Sequence, residues 1–314
     1  MIYQDLQRLG ILGINNRVGR YILRHNQRKF YPLVDDKVKT AQRAAAWGIP
    51  MPENYLVISS FGDLKKLPQL IGDLGSFVIK PANGSQGNGI IVISEVMKNP
   101  DGWITLRRSS GKEMILEDAR YHVSGILSGM YSLSGLPDTA IIQERISQHP
   151  VFDDYSHGGI PDVRVIVFMG YPVMAMVRLP TKDSDGKANL HQGAIGAGLN
   201  LKDGSTNNAV IKNRVVEKHP DTGHAILGLK LPHWNEVLEL AARCHDMVGL
   251  GYLGVDIVLT PDKGPILLEL NARPGLAIQI ANLSGLVPRL ERVRAGFVEG
   301  ASAKERVAQS QEWF

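Results

Sequence analysis

Apolar residues fall into clear periods only after the first thirty-five positions. Before that, Leu9, Leu12 and Val18 share one side of a helical projection. Asn15-Asn16 interrupts them, and Arg17, Arg20, Arg24, Arg28 and Lys29 crowd the rest, which predicts a short helix or arm. A cleaner helix is predicted from a cap at Asp35 or Asp36 to Trp47, stopped by Gly48 and Pro50. A strand at Tyr55 to Ser59 and an amphipathic helix near Asp63 to Leu74 follow, then strands at Phe77 to Lys80 and Ile90 to Ile93. Helix-compatible residues fill His122 to Leu133, ahead of a strand at Ala140 to Gln143. From Asp162 the texture becomes β, with strands at Val163 to Met169 and Val173 to Leu179. The stretch Pro180 to Asn208 is rich in Gly, Asn, Asp and Lys without a period, and predicts a mobile loop. Trp234 to Met247 reads as a helix burying Val237, Leu238, Ala241 and Val248. Strands at Gly254 to Thr260 and Pro265 to Leu270 precede a basic, partly helical tail.

Composition narrows the class. With 314 residues, 44% hydrophobic and 21% charged, the chain has an ordinary globular profile, which excludes disorder and collagen-like repeats. The formal charge of +4 favours anionic small molecules and lacks the dense basic face of a nucleic-acid binder. Cys244 is the only cysteine, so no internal disulfide forms. No apolar run approaches the roughly twenty residues of a membrane span, and the N-terminus lacks a signal-peptide pattern. The expected setting is cytoplasmic.

The two last strands flank a four-residue turn, Pro261-Asp262-Lys263-Gly264, and predict a hairpin. If Thr260 faces Pro265, counting sets Asp256 opposite Glu269. Asn271 then shares the face of Glu269, while Ile257, Leu259, Leu268 and Leu270 take the other. Opposed carboxylates repel, and a hard divalent cation relieves the repulsion. An all-oxygen Asp/Glu/Asn set suits magnesium. The same residues also read as solvated charges on an exposed hairpin.

Upstream, Lys80 ends a strand, and Gly84, Ser85, Gln86, Gly87, Asn88 and Gly89 lead straight into another. Glycines let backbone amides approach phosphates, and lysine supplies a point charge. Because the glycines join two strands, with no Gly-Lys-Ser/Thr, neither a P-loop nor a dinucleotide fingerprint is supported. The pattern predicts a flap over a triphosphate, although glycine-rich hairpins also serve as plain turns.

Together, Phe77-Val78-Ile79-Lys80-Pro81 with its flap, Gln143-Glu144-Arg145-Ile146, and Asp256 followed by Glu269-Leu270-Asn271-Ala272-Arg273-Pro274-Gly275 resemble the ATP-grasp superfamily. Asn189-Leu190-His191-Gln192-Gly193-Ala194 is similar to a loop of the glutamate ligases that modify ribosomal protein, and of their α-L-glutamate-ligase-like relatives. The resemblance implies an α/β (α+β) ATP-grasp fold whose two lobes enclose the nucleotide, with a reduced N-terminal region. Its implied segments are an arm (1–35), a linking helical region (36–75), a nucleotide-binding lobe (76–145), a lobe with the metal site (146–285) and a tail (286–314).

It further implies ATP as cofactor, with one or two Mg²⁺ or substituting Mn²⁺. Lys37 and Lys80 would meet the phosphates, Gly84 to Gly89 would cover them, and Gln143, Glu144 and Ile146 would border the adenine. Asp256, Glu269 and Asn271 would hold the metal, and Arg164, Asn189 and Arg273 would face the substrate. Arg178 is a further candidate clamp, and His191 either shuttles a proton or stabilises its loop. The implied reaction is carboxylate–amine ligation through an acyl phosphate, with glutamate or a peptide as substrate. Two alternatives stand: a small-molecule kinase, and a non-catalytic nucleotide-binding partner protein. Expected partners are the acid and amine, with no nucleic acid and no membrane span, and with self-association or docking through the tail. Asp256→Asn and Glu269→Gln are both expected to stop turnover and spare the fold.

Overall fold

A computed structural model of the chain describes residues 5, 8–84, 87–132 and 135–314. The chain divides into two compact units. One comprises Asp36–Ala41 and Pro52–Ile146; the other comprises the stretch up to Asp35, Gln42–Met51 and Ser147–Phe314. No helix among the described residues is long and apolar enough to cross a membrane.

Helix α1 (Lys37–Ala46) starts where predicted, with Asp36 Oδ1 accepting from Val38 N at 2.9 Å and Lys39 N at 3.2 Å. The smaller unit carries β1 (Asn54–Ile58), α2 (Leu67–Asp73), β2 (Phe77–Pro81), β3 (Ile91–Lys98), β4 (Ile104–Arg108), β5 (Glu113–Ile115), α3 (Leu116–Leu127) and β6 (Ala140–Gln143). Its antiparallel sheet runs β1-β6-β2-β3-β4-β5. Phe77, Ile79, Ile93, Leu106 and Ile142 form its core with Leu67 and Ile71 of α2 and Ala119, Val123 and Ile126 of α3.

Two expectations change here. Helix α3 begins earlier than His122, where Asp118 Oδ2 accepts from Ile115 N at 3.1 Å, and ends at Leu127, because Gly129 turns the chain at φ +82°, where a Cβ would lie 2.4 Å from Leu136 O. Strands β4 and β5 were not predicted at all.

The larger unit holds β7 (Asp162–Phe168), β8 (Tyr171–Leu179), β9 (Ile195–Leu199), β10 (Thr206–Ile211), β11 (Arg214–Val215), α4 (Trp234–Val248), β12 (Tyr252–Thr260), β13 (Gly264–Asn271), α5 (Val287–Gly296) and α6 (Ala303–Trp313). Its sheet is also antiparallel, in the order β11-β10-β9-β8-β7-β12-β13. The period-2 alternation of β7 splits its side chains. Val163, Val165 and Val167 pack with Val237, Leu238, Ala241 and Cys244 of α4. Ile166 and Phe168 face Leu12, Tyr21 and Ile22 from the N-terminal stretch, with Leu290 and Val293 of α5. The residues read as an arm therefore supply core, Tyr21 being wholly buried.

The predicted loop at 180–208 is a second correction. Every residue of β9 is buried, and β10 begins at Thr206. Its small residues have a packing role: a Cβ on Gly198 would lie 2.7 Å from Ala281 O. What looked like loop composition lets a helical turn, Ile278–Ala281, lie against a strand.

Candidate active site

Asp256 lies opposite Glu269, as counting expected, but for a different reason. The turn pairs Thr260 with Gly264, one residue off the assumed register, and Ile257 with Leu267. A bulge then absorbs Leu268 and restores Asp256 to Glu269 and Gly254 to Asn271. Without it, Leu268 would oppose Asp256, and Glu269 would turn to the apolar face with Val255. One extra residue puts the second carboxylate on the polar face.

That face is a dry ladder of charge. Arg164, paired with Asp256 across β7 and β12, grips it with both ends of its guanidinium: Nε donates to Oδ1 at 2.7 Å and Nη2 to Oδ2. Arg178 donates Nη2 to Asp256 Oδ2 at 2.9 Å and holds Asp162 bidentately. Asn271 Nδ2 reaches Asp256 Oδ2 at 3.3 Å. Burial opposes the charge on Asp256, but Arg164 and then Arg178 outweigh it, so its carboxyl titrates below the usual carboxylate value. Burial pushes Asp162 up to about 6 against the pull of Arg178, with the neighbouring Asp256 adding to the rise. Burial alone would lower Arg178, yet Asp162 and Asp256 hold it above its ordinary value.

Two guanidiniums thus relieve part of the repulsion that a cation was expected to relieve alone. Among the described residues, no group of three or more His, Cys, Asp or Glu converges as a metal cluster. The candidate set is two carboxylates and an amide, all hard oxygen donors, with Asp256 held anionic. A carboxylate has about four lone-pair sites, and the contacts on Asp256 crowd Oδ2 while placing one donor on Oδ1. By donor type, Asp256, Glu269 and Asn271 would suit magnesium.

The smaller unit presents the lysines and glycines. Lys80 on β2 is buried, 6% exposed. Lys37 Nζ donates to Gly84 O at 2.9 Å and Ala82 O at 3.4 Å, which joins the start of α1 to the root of the glycine turn. Asp138 holds the same root: it accepts from Asn83 N at 3.1 Å, Asn83 Nδ2 at 2.7 Å and Thr139 N at 2.7 Å. At the far end His122 Nε2 bonds Gly89 O at 2.9 Å, and Tyr131 OH meets His122 Nδ1 at 3.1 Å. Gly89 has φ +77°, and a Cβ there would lie 2.6 Å from the Tyr131 ring. Gly87, at φ +76°, faces open space. Ser85 and Gln86 lie outside the described residues. Gln143 Nε2 donates to Asn54 Oδ1 at 2.7 Å, and Glu144 N to Glu53 O at 2.8 Å. Ile146 follows β6 half-buried.

The remaining candidates have local partners. Asn189 Oδ1 accepts from His191 N at 3.0 Å and caps the single turn Leu190–Gln192. Arg273 is exposed, its guanidinium 5.1 Å from the centre of the Tyr31 ring. Cys244 is buried in the α4 core, and burial pushes its thiol up, so it is no nucleophile. Asp162, Asp138 and His122 were missed. The first lies one residue before the predicted strand and two before Arg164, with which it shares a face of β7.

Residues 16–295 match the sugar-transfer associated ATP-grasp family. The chain belongs to that family. Its fold is accordingly ATP-grasp, and the association with sugar transfer is a detail that no motif supplied. A "Probable alpha-L-glutamate ligase" of Maridesulfovibrio salexigens is 24% identical over 243 residues, covering 77% of this chain and 56% of that protein. One of the same name from Halorhodospira halophila is 26% identical over 241 residues, with coverage of 77% and 56%. The ATP-grasp chain thus spans little more than half the length of these curated relatives. The RimK domain protein ATP-grasp from Sphaerobacter thermophilus has a solved structure that is 15% identical, with a TM-score of 0.44, and covers 88% of this chain and 72% of that one.

Proposed function

We propose that the chain is an ATP- and Mg²⁺-dependent carboxylate–amine ligase. The observation that carries this reading is the bulge-set opposition of Asp256 and Glu269, two residues from Asn271, on a face lined by Arg164 and Arg178. On this reading residues 76–145 serve the nucleotide, with Lys37 and Lys80 on its phosphates, Gly84, Gly87 and Gly89 over them, and Gln143, Glu144 and Ile146 at the base. Residues 146–285 serve the metal and the substrates. Asp256, Glu269 and Asn271 hold one or two Mg²⁺, with Arg164, Arg178, Asn189 and Arg273 on the acid and the transferring phosphoryl group. Bound magnesium would neutralise triphosphate charge as the phosphoryl group transfers.

The acid's carboxylate attacks the γ-phosphorus, breaking the bond to ADP and giving an acyl phosphate. The amine then displaces phosphate to leave an amide. Such chemistry requires positioned charge and no protein nucleophile, which suits this residue set. The names of the relatives support an amino acid such as glutamate as substrate, and a peptide is the other candidate. Use of Mg-ATP fits work in the cytoplasm.

Hydroxylamine trapping tests the proposal. With a panel of amino acids, peptides and other carboxylates, a hydroxamate that forms only with ATP and Mg²⁺ identifies the acid. ADP release with a stable phosphate ester and no hydroxamate would make the chain a kinase. No ADP from any acid would leave a nucleotide-binding protein without turnover.

A further inference from the structure

Three consecutive residues leave β13 after Asn271, and each is held by a different side chain from residues 17–31. Asn26, 4% exposed, donates Nδ2 to Ala272 O at 3.0 Å and to Tyr252 O at 2.8 Å, and accepts from Tyr252 N at 2.8 Å. Tyr31 places its ring against the Arg273 guanidinium. Arg17 donates Nη1 to Pro274 O. The turn so held presses on β12: a Cβ on Gly254 would lie 2.6 Å from Pro274 Cβ and 3.4 Å from Asn271 Cβ.

We propose that residues 17–31 act as a positioning element for Asn271 and Glu269, with Asn26 at its centre. The inference rests on the metal reading of those two residues. A chain leaving the end of a strand loses its ladder partners there, and its last residue is the first to fray. Asn271 is that last residue. Asn26 stands in for a missing strand: one amide satisfies both backbone groups of Tyr252 and ties the start of β12 to the residue after Asn271. Asparagine suits the task because its side chain offers donors and an acceptor together. Aspartate keeps the shape but loses both donors.

The test uses the full chain with Asn26→Asp, Tyr31→Leu and Tyr31→Phe. Two quantities are measured: the Mg²⁺ concentration at which ADP raises the melting temperature, and amide exchange across residues 270–276. Asn26→Asp and Tyr31→Leu are expected to raise the Mg²⁺ midpoint about tenfold, as displaced supports of metal ligands do, and to speed exchange in that segment. Tyr31→Phe, which keeps the ring, stays at the wild-type midpoint. Variants that melt earlier with an unchanged midpoint overturn the inference and leave these contacts structural. A wild-type chain with no Mg²⁺-dependent response to ADP sinks the metal reading, and the inference falls with it. Should Asn26→Asp not fold, Tyr31→Leu, a contact at an exposed guanidinium, decides alone.

Discussion

The two sets of candidate residues are held in place by opposite means. On the seven-stranded sheet, Asp162, Arg164, Arg178 and Asp256 hold one another, two negative groups against two positive, with little water among them. The glycine turn of the other unit is gripped from outside, by Lys37 and Asp138 at its root and by His122 at its end. Its exposed glycine Gly87 has no side chain to anchor it. A self-balanced charge cluster cannot lose a member without upsetting the fold, whereas a turn held by neighbours can lose a ligand-facing group and stay folded. The first region should break structurally, the second in what it binds.

The largest effect is expected at Asp256→Asn. It removes the carboxylate that Arg164 and Arg178 share, leaving both guanidiniums short of a partner in a largely buried ladder, and breaking such a pair costs about 3–5 kcal/mol. In a unit of this size that lowers the melting temperature by about 10 °C, readable by calorimetry. This revises the expectation that the variant would spare the fold, and loss of activity in it would not isolate the metal. Wild-type melting would show that the ladder contributes little to stability.

Glu269→Gln is the cleaner break. Glu269 is half-buried, and the printed arginine contacts of the ladder fall on Asp162 and Asp256. Mg²⁺-dependent ADP release should fall about a thousandfold or more, while melting shifts by about 3 °C at most. Turnover within a few-fold of wild type would remove Glu269 from the metal set.

The contrast between the regions also explains what could be read from the residues. The hairpin was legible because β12 and β13 are long apolar runs around a glycine turn, and β6 because Ala140 to Gln143 is a short apolar run. The bulge at Leu268 was not, since no residue type announces it. The counted register reached the right pairing from a wrong starting pair. Strands β4 and β5 escaped because they are short, the outermost being β5, and carry Arg107, Arg108 and Glu113. In β9 the residues Gly196, Ala197 and Gly198 give no β-branched signal; a Cβ on Gly196 would meet Leu190, and one on Gly198 would meet Ala281 O. Asn26 was hidden in a basic stretch because one asparagine making three backbone bonds has no period.

Within the glycine-turn region, Lys80→Met should act mainly on binding. Lys80 is buried, so a methionine of similar length keeps the stem packed while removing the charge. A charge-assisted hydrogen bond contributes about 1.5–3 kcal/mol, so ADP affinity should fall roughly ten- to a hundredfold. Isothermal titration reads this directly. Unchanged affinity would detach Lys80 from the phosphates.

The smallest effect expected is at His122, and its sign follows from its tautomer. Gly89 O accepts from Nε2, so Nδ1 is the lone pair that meets the Tyr131 hydroxyl. Protonating Nδ1 would reverse that bond, the hydroxyl oxygen then accepting. Burial first, then Arg108, lowers the imidazole below its ordinary value despite the bond to Gly89. A base lowered in the folded state favours the fold while neutral, so its contribution is present above about pH 6.5 and fades as pH falls below that. His25, His219 and His245 are lowered too, so the comparison must be a difference between variants. His122→Gln should melt below wild type at pH 7.5 by the few degrees that about 1 kcal/mol implies, and the gap should narrow by pH 5.5. A gap that stays constant across that range would mean that His122 fills space beside Gly89 without holding the turn through its neutral ring.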